Sequence, residues 1–174
     1  MRIRSLVTLA AVLAFPFATF SAPPVAIIED APWSPGDAPR DGASEFGVLL
    51  QLAQLQQQHP LIGLVGVGDR RGVFQEGTRR GLAFAVQQGV PVVRLARGAP
   101  IAVPIAGDVF IDGGMMTAEA ASALLAQCLE RFGPLPKLDA TSTSTADTSR
   151  AFSEKLARYQ AEFTARQPAR VAMR

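Results

Sequence analysis

The chain alternates short, continuously apolar runs with longer segments whose apolar residues recur at the helical period. The apolar runs cover residues 25–28, 61–65, 91–95 and 109–111, and the periodic segments cover residues 44–57, 73–89 and 118–132. An apolar run without polar alternation is typical of a strand covered on both faces, as in a parallel sheet. This alternation limits the chain to few topologies.

The predicted fold is therefore an α/β three-layer sandwich around a short parallel sheet of about four strands, Rossmann- or flavodoxin-like. The chain has 174 residues, of which 48% are apolar and 18% charged, which suits one globular domain. We place that domain at residues 23–138.

The C-terminal part has a different composition. Residues 139–149 are polar and of low complexity, which predicts a mobile linker. Beyond it a helix is predicted over 150–167, with Phe152, Leu156, Tyr159 and Phe163 on one stripe. We expect this amphipathic helix to pack on the domain or on a partner subunit. A membrane-binding helix is the weaker alternative, because its opposite face carries charges of both signs.

The N-terminus has the features of a secretory signal peptide. Two arginines precede an apolar stretch over residues 6–20, and small residues follow at Ser21 and Ala22. We expect cleavage after residue 21 or 22 and a periplasmic or secreted protein. An uncleaved anchor is the alternative, although the apolar run is shorter than a membrane span of about 20 residues.

The charge of the processed chain is balanced. Loss of residues 1–22 removes two of the 17 basic side chains and none of the 15 acidic ones, which leaves a formal charge of zero. A neutral domain gives no electrostatic reason to expect nucleic acid or a membrane surface as a partner.

No residue stands out as a nucleophile or a metal ligand. The single cysteine, Cys128, lies among leucines in a predicted helix, and the single histidine, His59, lies at a helix end. We interpret Cys128 as a buried structural thiol and Thr117 as a helix cap. We therefore predict no catalytic residue, no metal and no cofactor.

Glycines and charged residues follow the predicted strands at their C-terminal ends, where open α/β sheets bind ligands. The candidate ligand-binding residues are Gly66, Gly68, Asp69, Arg70, Arg97 and Asp112. Solvated loop charges are the alternative for the four charged candidates, Asp69, Arg70, Arg97 and Asp112. The turn over 66–72 also resembles a dinucleotide fingerprint, but Arg71 stands where a third glycine is required.

Four segments, taken in order, resemble the C-terminal domain of bacterial asparaginases and glutaminases of the exported type. In the family these positions hold a strand, a strand with a glycine-asparagine-glycine turn, a strand ending near an arginine, and a glycine turn that opens a long helix. The family also ends in a short amphipathic helix. The segments are PVAII at 24–28, LIGLVGVGDRRG at 61–72, QQGVPVVRLARG at 87–98 and FIDGGMMTAEAASALLAQCL at 110–129.

The resemblance implies that the chain has protein partners and that it lacks the catalytic groups of the family. In the family, an asparagine of the glycine-rich turn reaches a neighbouring subunit's active site; here Asp69 holds that position, followed by Arg70 and Arg71. Family catalysis uses a threonine nucleophile and a threonine-aspartate-lysine set of an N-terminal domain, for which we expect no room between the signal and the first strand. The resemblance thus implies a homo-oligomer or a separate catalytic-domain partner, and a small amino-acid-like ligand.

The chemistry of the residues points the same way. Amide hydrolysis through a covalent intermediate needs an activated nucleophile, a base and oxyanion donors. We therefore predict a binding or oligomerisation module that is non-catalytic alone. A subunit of a split asparaginase/glutaminase-type amidohydrolase is one alternative, and a small nucleotide-binding module is the other.

Overall fold

The computed structural model of the protein describes residues 24–30, 45–97, 109–138 and 145–167. Strands and helices follow one another in the predicted order, and all strand pairs are parallel. The predicted α/β fold is confirmed. The strands are β1 (Val25–Glu29), β2 (Gly63–Gly68), β3 (Val92–Ala96) and β4 (Ile111–Asp112); the helices are α1 (Glu45–Gln58), α2 (Glu76–Gln87), α3 (Ala118–Phe132) and α4 (Thr145–Ala165).

The order of strands in the sheet is the order of the chain, β1-β2-β3-β4. The two inner strands, β2 and β3, are almost entirely buried, as their apolar sequences predict. In the register, Leu64 lies beside Val92, and Arg94 lies beside Asp112.

Two glycines of β2 show how the helices form layers on the sheet. A Cβ on Gly63 would lie 2.7 Å from Leu125 of α3, and one on Gly66 would lie 3.0 Å from Leu82 of α2. Because residues 63 and 66 point to opposite faces of a strand, α3 covers one face and α2 the other. Helix α1 lies beside α2, where a Cβ on Gly81 would come within 2.8 Å of the Val48 Cβ. The result is a three-layer sandwich.

The second strand differs from the prediction at both ends. The sequence predicts a strand over 61–65 and a turn that begins at Gly66. In the structure, β2 begins at Gly63 and runs on to Gly68, and the turn begins at Asp69. The physical reason is close packing, since the ring of Phe74 occupies the space where a Gly66 side chain would lie. The glycines therefore belong to the strand.

The C-terminal helix begins earlier than predicted. The polar segment was predicted to be a linker up to residue 149, but Thr145–Ala165 form α4. Asp147 lies in its first turn, where the helix dipole favours an acidic side chain. The remainder of the predicted linker, residues 139–144, and the predicted signal peptide, residues 1–22, lie outside the described residues.

Helix α4 packs on the domain through the predicted stripe. Phe152, Tyr159 and Phe163 are buried, and Leu156 is half-buried. The Tyr159 hydroxyl donates a 2.7 Å hydrogen bond to the carbonyl of Gly133, at the end of α3. Within the described part of the chain, no helix combines the length and apolarity needed to cross a membrane.

Candidate functional site

The carboxyl edge of the sheet brings together charged residues from all four strands. Asp30 follows β1, Asp69 follows β2, Arg97 follows β3, and Asp112 ends β4. They share this edge because parallel strands end on the same side of a sheet. Each of these residues has a defined partner in the fold.

Asp30 is the most deeply buried of them, at 5% exposure. One carboxylate oxygen, Oδ2, accepts a 2.5 Å hydrogen bond from the Gln75 N–H, and Oδ1 accepts a 2.9 Å hydrogen bond from the Thr78 hydroxyl. Gln75 precedes α2, and its own side chain does not cap that helix. Asp30, which follows β1, therefore caps the N-terminus of α2. There its carboxylate stabilises the N–H groups that have no partner within the helix and the positive end of the helix dipole.

Arg97 connects the ends of three strands. Its guanidinium donates a 2.5 Å hydrogen bond to the backbone carbonyl of Asp30, and its own N–H donates to the carbonyl of Asp69 at 3.0 Å. The side chain is half-buried. Of the predicted site residues, Arg97 and Asp69 are thus brought together, and Asp30 joins them.

Asp69 shapes the turn that follows β2. Its Oδ1 accepts hydrogen bonds from the N–H groups of Arg71, at 2.8 Å, and Val73, at 2.9 Å. Desolvation raises the pKa of Asp69, but these N–H donors and the charge of Arg71 outweigh it, so the pKa lies below its usual value. Arg70 and Arg71 are exposed at the tip of the turn. The role of Asp69 in the fold is therefore to hold the backbone of the turn, while the side chains of Arg70 and Arg71 are exposed to solvent.

The predicted site glycines have packing roles. Gly66 lies against Phe74 and Leu82, as described above. A Cβ on Gly68 would come within 2.8 Å of backbone atoms of Gly72 and Val73, so the turn can fold back on β2 only because residue 68 has no side chain. Both glycines are buried in β2.

Asp112 lies apart from Asp30. The strands β1 and β4 are the two edges of the sheet, about 14 Å apart at the usual strand spacing. Asp112 Oδ1 accepts a 2.9 Å hydrogen bond from the N–H of Gly114. Its backbone N–H and carbonyl are both bound by the side-chain amide of Gln160 on α4. The predicted candidates therefore divide into one group around Arg97 and one around Asp112.

Three residues of this edge were missed by the sequence analysis. Asp30 lies just beyond the first apolar run, Arg94 lies within the third run, and Thr78 lies in a periodic segment; none of them was predicted as a site residue. Arg94 is 2% exposed and lies beside Asp112 in the register of β3 and β4. The available signals were a lone charge inside an apolar run, for Arg94, and an acidic residue directly after an apolar run and one further residue, for Asp30.

Thr78 and Asp30 are residue types that can act as a nucleophile and its base, because the Thr78 hydroxyl donates a hydrogen bond to the Asp30 carboxylate. However, Thr78 is 1% exposed, and both oxygens of Asp30 are engaged by α2. A substrate carbonyl cannot approach a hydroxyl that is covered in this way. The pair therefore stabilises the junction of β1 and α2.

Cys128 and Thr117, which the sequence analysis weighed and interpreted as structural residues, also have structural roles in the fold. Cys128 is buried, as predicted, and burial, followed by the charge of Glu162, raises the pKa of its thiol to about 11. Thr117 caps α3, as predicted, and accepts a 3.2 Å hydrogen bond from the N–H of Ala120. Among the residues that the structure describes, no group of three or more metal-ligating side chains occurs.

No protein-family model matches the sequence, and no curated protein matches it at a significant level. The function must therefore be inferred from the residues themselves.

Proposed function

We propose that this protein is an exported binding or oligomerisation module, similar to the C-terminal domain of bacterial asparaginases and glutaminases and without catalytic activity alone. The observation that supports it best is the buried Thr78–Asp30 pair. In this pair a hydroxyl is hydrogen-bonded to a carboxylate, yet the fold buries it and uses it to hold α2 on β1.

The resemblance is compatible with the sheet. The four segments that carry it contribute β1, β2, β3, and β4 with α3, and all of them belong to one parallel sheet with its helices. An antiparallel pairing of any two strands would have been incompatible with it.

The position of Asp30 argues against a nucleotide site at the glycine-rich turn. In a dinucleotide fold the pyrophosphate binds at the N-terminus of the helix that follows such a turn. Here the carboxylate of Asp30 already accepts the Gln75 N–H at that end of α2. A phosphate would have to displace a buried carboxylate and would be repelled by its charge.

A contribution to another chain's site is a second candidate, favoured by the turn after β2. Asp69 holds the backbone of this turn through two hydrogen bonds, and the side chain of Arg71 is 84% exposed. The turn therefore presents cationic side chains from a fixed backbone. In the split-amidohydrolase alternative, these would meet the acidic groups of an amino-acid-like substrate in the partner's site.

The proposal is tested by ammonia release from L-asparagine and L-glutamine with the purified protein. We expect none above the uncatalysed rate. Sustained release that Thr78→Val abolishes would overturn the proposal. Release that appears only when an extract of the source cells is added, and that Arg71→Ala weakens, would instead support the split enzyme. The absence of any shift in melting temperature with NAD or ATP would remove the nucleotide alternative.

A further inference from the structure

The first strand has a neighbour on one side only, within the part of the chain that the structure describes. Strand β1 lies at an edge of the sheet and pairs with β2. At its two ends, the Pro24 carbonyl accepts a hydrogen bond from the Gly63 N–H, and the Asp30 N–H donates one to the Val67 carbonyl. Backbone groups of successive residues in a strand point to alternate sides. The even-numbered residues of β1 therefore face β2.

The odd-numbered residues of β1 point the other way. Val25, Ile27 and Glu29 direct their N–H and C=O groups away from β2, and we call these groups the β1 edge. Ile27 is 38% exposed, and Glu29 is exposed as well. Solvent therefore reaches this side of the strand in the folded chain.

The two edges of the sheet are treated differently. At β4, the side chain of Gln160 binds the backbone N–H and carbonyl of Asp112. Strand β1 has the sequence VAIIE, without proline or lysine, and it pairs with β2 in continuous register, without a bulge. Prolines, lysines and bulges are the usual protection of an edge strand. Strand β1 is therefore suited to pairing with a further strand.

From this arrangement we infer that the β1 edge is the contact surface for a second copy of this chain, whose β1 pairs antiparallel about a two-fold axis through Ile27. The two four-stranded sheets then join into one continuous sheet. This inference rests on the proposed role as an oligomerisation module and specifies its surface.

The first argument is the match of hydrogen-bonding groups. In an antiparallel ladder, two residues that face each other can exchange both of their hydrogen bonds. An axis through Ile27 pairs Ile27 with its own copy, and it pairs Val25 with Glu29 of the second copy. Every group of the β1 edge then has a partner. An axis through a neighbouring residue would leave Val25 or Glu29 without a partner in the strand.

The second argument is the fit of the side chains. On one face of the joined sheet, the small Ala26 of each copy lies opposite Ile28 of the other. On the other face, the two Ile27 side chains meet at the axis and cover the part of each that is exposed in the single chain. Cross-strand pairs of β-branched side chains stabilise a sheet.

The third argument is charge. Glu29 is the only charged residue of β1. The antiparallel register keeps the two Glu29 side chains four residues apart along the sheet, about 14 Å. At that distance salt screens their repulsion, because the Debye length is about 8 Å at physiological ionic strength. A parallel pairing in register would place them side by side and would not be closed by a two-fold axis. Charge therefore favours the antiparallel pair.

The first experiment measures mass in solution by sedimentation, with the full chain purified from cells that export it. We expect about twice the mass of the monomer. Ile27→Pro should return the mass to that of the monomer, because it removes an N–H that β2 does not use. Proline is tolerated at such an edge position, and circular dichroism shows whether the variant keeps its fold.

The second experiment tests the register through charge. Val25→Glu places a carboxylate opposite Glu29 of the second copy, and Val25→Lys places an ammonium group there. We expect the dimer of Val25→Glu to dissociate more readily than that of Val25→Lys, on the order of tenfold in Kd. Adding Glu29→Lys to Val25→Glu should restore the dimer. Ala157→Glu, on the exposed side of α4, adds a charge elsewhere and should leave the Kd unchanged.

The two Val25 variants lose the same apolar side chain, so their comparison decides the matter even if Ile27→Pro does not fold. A monomeric wild-type protein would overturn the inference. Equal dimer affinities of Val25→Glu and Val25→Lys would overturn it as well, because they would exclude Glu29 as the partner of residue 25. These results do not bear on the ammonia assay, so the absence of catalysis is judged separately.

Discussion

Gln160 of α4 forms two hydrogen bonds with the backbone of Asp112 in β4. Its Oε1 accepts from the Asp112 N–H at 2.8 Å, and its Nε2 donates to the Asp112 carbonyl at 3.2 Å. These are the groups that a fifth strand would pair. Because an unpaired edge strand can recruit another chain, Gln160 closes this edge of the sheet with one side chain.

Gln160→Ala should lower the free energy of unfolding by about 1–3 kcal/mol, because two half-buried backbone groups lose their partner. Urea unfolding of both proteins gives the difference. Gln127→Ala, on the exposed side of α3, is the same substitution in a helix and should be neutral or slightly stabilising. Equal effects of the two substitutions would show that Gln160 contributes nothing specific.

Thr78→Val should cost about 1–3 kcal/mol of stability, because it removes the hydrogen bond to Asp30 with almost no change in volume and leaves a buried carboxylate oxygen with one donor fewer. Thr78→Ser retains the hydroxyl and should cost less. Thermal unfolding measures both variants. If the two variants were equally destabilised, the loss would come from packing rather than from the hydrogen bond.

The stability conferred by Asp69 should depend on pH. Its pKa is lower in the folded protein than the ordinary value of 3.8, so its contribution is complete above that value and is lost as the pH falls through the folded pKa. Asp69→Asn keeps an acceptor for the turn and removes the charge. The stability difference between the two proteins, under about 1 kcal/mol because Asp69 is exposed, should therefore vanish as the pH is lowered from about 5 to about 2. A constant difference over that range would contradict the assignment.

Cys128 should be unreactive towards a disulfide reagent at pH 8 in the folded protein, since its thiol is buried and its pKa is raised to about 11. One equivalent should react at once when the protein is unfolded in urea. The variant Ala157→Cys provides an exposed thiol as the control, and its second thiol should react in the folded state. Rapid modification of Cys128 without denaturant would mean that α4 opens readily from α3.

Most of the fold was predictable from the sequence because its signals are local. The apolar runs of β1 and β3 and the periodic residues of α1 and α3 lie within one or two residues of their predicted bounds. The shift of β2 arises from Gly66 and Gly68, which are typical turn residues but here allow helix and loop to approach the strand.

The candidate site was less predictable because its contacts join distant parts of the chain. Asp30 meets Thr78 across 48 residues, and Asp112 meets Gln160 across the same separation. No local pattern identifies either partner. The start of α4 was missed for a related reason. Four of its first five residues, Thr145, Asp147, Thr148 and Ser149, are weak helix formers alone, and they continue a helix that is fixed to the end of α3 by Tyr159.

The agreement between strand order and chain order has a consequence for synthesis from the N-terminus. Each new strand can join the edge left by the previous one, so the sheet grows in one direction as the chain emerges. In the part of the chain that the structure describes, α3 is the helix that covers the face of β1 and β2 bearing Gly63. A nascent chain that stops before residue 118 therefore exposes that face, and exposed apolar surface of this kind makes an incomplete chain prone to aggregate.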